Sequence, residues 1–117
     1  MRENIALEKG FDFAVRIVNL YKHITNHKKE YILSKQLLRS GTSIGANITE
    51  AQRGQSKADF IAKMSIALKE AYETDYWLKL LYKTEYINTV EYESIDKDVK
   101  EIISLLMSIC KTANNNK

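Results

Sequence analysis

Apolar residues recur at helical intervals along almost the whole of this chain. Phe13, Ile17, Leu20, Tyr21 and Ile24 form the first series, with Arg16, Asn19 and Lys22 between them, and predict a helix from about Asn4 or Glu8 to His27. His27, Lys28 and Lys29 then interrupt the pattern. The second series, Leu37, Gly41, Ile44, Ile48 and Ala51, advances in steps of four, three, four and three and predicts a helix capped by Ser34 and stopped by Gly54. A polar seam of Ser40, Ser43, Asn47 and Glu50 runs beside it. Ser56 and Asp59 read as a capping pair for a third helix from Lys57 to about Tyr86, whose stripe is Phe60, Met64, Leu68, Ala71, Asp75, Leu78 and Tyr82. Thr89 is placed to cap a fourth, with Ile95, Val99, Ile102, Leu106 and Ile109 on its apolar face, and residues from about 113 to 117 read as a frayed tail.

Four helices with short connections predict an all-α, up-down-up-down antiparallel four-helix bundle, a single domain over residues 1–117. In such a bundle, residues equidistant from the turn near position 55 lie at similar heights. That places Arg39 near Glu70 or Glu73, and Glu50 near Phe60 or Lys63. Gly41 and Gly45 each cost about 1 kcal/mol in a helix interior relative to alanine, so they predict a smooth groove for a close neighbour, and the glycine-bearing surface is expected to support self-association.

Composition fits this picture: 117 residues with no proline and four glycines leave little built for turns. The lone Cys110, beside Leu106 and Ile109, reads as a buried thiol, and no intrachain disulfide is possible. No segment has the roughly 18 consecutive apolar residues of a membrane span, and Met1 to Gly10 lacks the apolar core of a signal peptide. The expectation is a cytoplasmic protein with no membrane contact. The net charge of +3 is unevenly spread, with 9 Lys+Arg against 5 Asp+Glu in residues 1–56 (+4) and 9 against 10 in residues 57–117 (−1).

Catalytic chemistry finds no support in the pattern. His23 and His27 have metal-ligand spacing on a helix but no third ligand nearby, and the inward GluxxHis pairs of di-iron bundles are missing. Ser40, Ser43 and Cys110 have no activating base at a recognisable spacing. Tyr72, Trp77 and Tyr82 fall within or beside the core stripe of the third helix and read as core. Arg39, Asn47 and Glu50 read as a structural polar network that fixes helix register. No cofactor, metal or enzymatic activity is expected.

The segment RSGTSIGANITEA resembles the signature of the four-helix-bundle proteins encoded in intervening sequences of bacterial 23S ribosomal RNA genes, an arginine, a Ser-Ile and then Asn-Ile-Ala-Glu-Gly. Arg39, Ser43, Ile44, Asn47, Ile48 and Glu50 match, and KEAYETDYWLKLL, with Glu73 and Thr74, resembles the family's Glu-Thr segment. Ser43, Glu73 and Thr74 thereby join the expected polar network. Thr49 and Ala51 depart from the usual Ala and Gly, and Gly45 stands where proline is frequent. The resemblance implies a homopentameric ring without enzymatic activity. The family is also similar to the accessory variability protein of diversity-generating retroelements, which works with a reverse transcriptase and binds nucleic acid.

Two functions follow as expectations. The first is an oligomeric accessory protein that binds RNA or DNA through basic residues, Lys28, Lys29 and Lys35 at one end and Lys9, Arg53 and Lys57 at the Gly54 end, the latter expected to be the more basic. The alternative is a scaffold that binds another protein and no nucleic acid.

Overall fold

The computed structural model describes residues 2–115, with side chains from Asn4 onward. Helix α1 spans Arg2–His23 and runs into a π-helical turn, Ile24–Lys28; α2 spans Leu33–Ala51, α3 Lys57–Lys83 and α4 Thr89–Asn115. They form an antiparallel up-down-up-down bundle of 47 × 21 × 19 Å, in which α2 packs on α1 and α3, and α4 on α3 and α1. The predicted stripes are its interior. Phe13, Ile17 and Ile24 of α1, Leu37, Ile44 and Ile48 of α2, Met64, Ala71 and Leu78 of α3, and Ile95, Val99 and Leu106 of α4 are all buried.

Several helix ends differ from expectation. Ser34 is not the cap of α2: it is buried inside the first turn, and the cap is the Glu30 carboxylate, which accepts from the backbone N–H groups of Ile32 (3.0 Å), Leu33 (2.9 Å) and Ser34 (2.7 Å). A carboxylate serves three orphan donors where a hydroxyl serves one. Burial works to raise the Glu30 carboxyl, but the backbone hydrogen bonds outweigh it and hold it below the ordinary range. The cap of α4 is Asn88 rather than Thr89, through reciprocal 2.8 Å bonds between Asn88 and Glu91, while Thr89 Oγ1 lies 3.2 Å from Tyr82 Oη. The Ser56–Asp59 cap of α3 forms as predicted, at 3.1 Å. At the C-terminus, residues 113–115 are helical rather than frayed, and Asn114 bonds to the Cys110 carbonyl at 2.9 Å; Asn116 and Lys117 lie outside the described residues.

The glycines of α2 face inward, not toward another molecule. A Cβ on Gly45 would stand 2.9 Å from the Gly10 carbonyl oxygen, and one on Gly41 would stand 2.7 Å from Ile17 Cγ1. The close neighbour is therefore α1 of the same chain, and the glycine surface is not available for self-association. Gly54 does follow the end of α2, but without a positive φ; its value is clearance, since a Cβ would lie 3.2 Å from Ala51 O and Phe60 N.

Candidate nucleic-acid interface

The α2–α3 seam holds most of the predicted polar residues. Arg39 reaches across to Glu70 (3.3 Å) and closely to Glu73, and Glu50 pairs with Lys63 at 3.0 Å, so both height assignments hold. Arg39 holds the Glu73 carboxyl below its usual range, and Glu73 in turn accepts from Trp77 Nε1 at 3.2 Å. The remaining members do not join one network. Ser43 donates to the Arg39 carbonyl at 2.6 Å and Asn47 to the Ser43 carbonyl at 2.8 Å, both within α2. The buried polar contact between the two helices is instead Thr74 Oγ1 to Ser40 Oγ, 3.0 Å, with both residues fully inaccessible.

The basic residues separate into engaged and unengaged groups. Lys9 pairs with Glu101 at 3.4 Å and Arg16 with Asp98 at 2.6 Å; with His23 Nε2 3.8 Å from Glu91, they form a ladder at seven-residue intervals along the α1–α4 seam. Lys9 is therefore a seam residue. Lys28, Lys29 and Lys35 are exposed around the α1–α2 turn, where Glu30 is committed to the α2 cap. At the other end Arg53 is exposed beside Glu50, Asp59 and Lys63, and Lys57 is exposed at the first residue of α3.

Lys100 bridges Asp75 (3.3 Å) and Asp96 (3.0 Å) between α3 and α4, and burial together with the hydrogen bond to Asp96 pushes the Asp75 carboxyl up. Among the described residues no three His, Cys, Asp or Glu side chains are disposed to hold a metal; the His23 and His27 rings lie 4.9 Å apart. Cys110 is buried, which pushes its thiol up and away from nucleophilic use. No described helix is long and apolar enough to cross a membrane.

Tyr72 is corrected from core to surface. It is 50% exposed and its neighbour Tyr76 is 58% exposed, both on the outward face of α3 together with Lys69 and Lys79. Sequence reasoning missed this face, although the signal was there: 69, 72, 76 and 79 advance in steps of three, four and three on the side opposite Met64, Ala67, Ala71, Thr74, Leu78 and Leu81.

Compared with known proteins, residues 2–108 match the sequence model of the family described as 23S rRNA-intervening sequence protein. A crystal structure of a protein of unknown function from the S23 ribosomal protein family, from Bacteroides thetaiotaomicron, is 61% identical, with a TM-score of 0.93 over 95% of this chain and 99% of that one. No curated protein matches.

Proposed function

This chain belongs to the 23S rRNA-intervening sequence protein family, and from that premise we propose that it is a noncatalytic, self-associating accessory protein that binds RNA or DNA through phosphate contacts. The observation that carries this reading is the disposition of charge. Glu50, Glu70, Glu73, Asp75, Asp96, Asp98 and Glu101 are taken up in ion pairs, and Glu30 and Glu91 in helix caps. Lys28, Lys29, Lys35, Arg53, Lys69 and Lys79 are left exposed with no carboxylate partner among the described residues. These cations are thus available at short range to the phosphates of a polyanion.

Contacts of this kind act by counterion release, so affinity falls with salt by about 0.7 to 0.9 logarithmic units per phosphate contact per decade. Gel-shift titration at two salt concentrations is the test. A shift at low salt that fades at higher salt is expected, and no shift at low salt overturns the reading. A second reading draws on Phe11 and Val15, apolar and 68% and 46% exposed on α1: a scaffold that binds another polypeptide, with partner binding insensitive to salt.

A further inference from the structure

We propose that the outward face of α3, Lys69, Tyr72, Tyr76 and Lys79, is a binding surface for single-stranded nucleic acid, with the two rings as stacking platforms and the lysines on flanking phosphates. The proposal rests on the nucleic-acid reading above and gives it a location and a ligand class. The four residues occupy one face over about 15 Å of helix, with the two tyrosines about 6 Å apart along the axis.

Both rings are held from the protein side while both residues stay exposed to solvent. Tyr72 Oη donates to Met107 Sδ at 3.3 Å, anchoring the ring against α4. Tyr76 packs edge-on against Trp77, with centroids 5.0 Å apart and planes at 75°. Trp77 is in turn fixed by its 3.2 Å bond to Glu73, which Arg39 holds from α2. The Arg39 and Glu73 of the signature segments thereby position an exposed ring, and a ring already placed loses less freedom when a base stacks on it.

The electrostatics suit an anionic strand. Lys69 and Lys79 have no ion-pair partner among the described residues. The carboxylates that flank the stripe on α3 point away from it: Glu70 and Glu73 to Arg39, Asp75 to Lys100. A single strand carries a phosphate on both sides of every base, so lysines flanking the two rings can meet the outer phosphates of a stacked dinucleotide. A duplex hides its base faces and an acidic peptide has no planes to stack, so neither uses the two tyrosines.

Fluorescence anisotropy of a labelled 15-nucleotide oligo-dT, and of a duplex of the same length, tests this. The unmodified protein is expected to bind the single strand more tightly. Tyr72→Ala and Tyr76→Ala should each weaken it about tenfold, the equivalent of ~1.4 kcal/mol of stacking, whereas Tyr76→Phe retains binding. Lys69→Gln with Lys79→Gln should reduce the salt slope by about 1.4, two contacts at ~0.7 each, with unchanged circular dichroism. Strand binding that is insensitive to all of these substitutions overturns the α3 site while leaving the nucleic-acid reading standing, as does equal affinity for the duplex. Loss of oligomer in the tyrosine variants with strand affinity unchanged also overturns it, assigning the face to a second copy of the chain. No binding by the unmodified protein overturns both.

Discussion

Glu30 follows His27, Lys28 and Lys29 and reads in the sequence as one more solvated charge, yet its carboxylate closes the N-terminus of α2. Glu30→Ala removes the acceptor of three backbone donors and should lower unfolding stability by about 1 to 2 kcal/mol. Because the folded carboxyl is held below its ordinary value of 4.5, this contribution is fully present above that pH and is lost as pH falls through the folded value. Urea midpoints of the two proteins should therefore differ most near neutrality and converge in acid. A gap that stays constant with pH would assign the loss to something other than the charged cap. Glu73 acts in the same direction as Glu30, whereas the raised Asp75 opposes both, its contribution present at low pH and lost as pH rises through its folded value. At this scale, pairs across a short turn were legible: reflecting positions about residue 55 placed Arg39 on Glu70 and Glu73, and Glu50 beside Lys63. The cap was not. Ser34 has the residue type and spacing of a cap, and only the path of the chain after Lys29, whose φ of 57° turns it back, brings the Glu30 carboxylate under the helix end. Asn47 shows the same limit, since its amide is consumed by the Ser43 carbonyl one turn away, a local option that periodicity does not weigh.

Among the helices, α1 and α2 approach each other closely at Gly10 and Gly45. Replacing Gly45 with alanine gains about 1 kcal/mol of helix propensity but drives a methyl to 2.9 Å from a backbone carbonyl, which cannot rotate away as a side chain can. Overpacking of that kind costs about 1 to 3 kcal/mol, so the clash wins if the helices must separate to relieve it. Gly45→Ala is expected to lower the thermal midpoint; a raised midpoint would show that propensity dominates and that the α1–α2 spacing is soft. Periodicity identified every helix of the bundle and the need for a smooth groove on α2, because burial of one face imposes a 3.6-residue repeat on each element. It did not say which neighbour fills the groove. The reflection that succeeded for α2 and α3 carries over to the preceding turn: the pairs Gly10–Gly45 and Ile17–Gly41 have their midpoints near Lys28 and Lys29, where the π-helical segment ends. On α3, the apolar character of the tyrosines obscured the outer stripe, since Tyr72 has the hydrophobicity of a core residue and the position of a surface one.

For the molecule as a whole, the glycine groove is closed within the chain, so the proposed self-association would use another face. The outer side of α1 offers Phe11 and Val15, joined by Ala14 and Val18 around a shallow hollow of about 260 Å³. An exposed phenylalanine one turn from an exposed valine has little to contribute to an isolated bundle, whereas burial against a second copy removes apolar surface from water at about 25 cal/mol per Å². The stripe is distinct from the α3 face, so assembly and strand binding need not compete. The substitutions Phe11→Gln and Val15→Gln change no charge and touch no core position. In light scattering the unmodified protein should be an oligomer, five subunits by family resemblance, and the double variant should shift toward monomer with its helical circular dichroism intact. Because the proposed ring would repeat each weak cationic site around an axis, the variant should also lose affinity for long single strands far more than for short ones that reach only one subunit. A monomer at high micromolar concentration in the unmodified protein would remove this avidity altogether, and an oligomer unaffected by the double substitution would move the interface off α1.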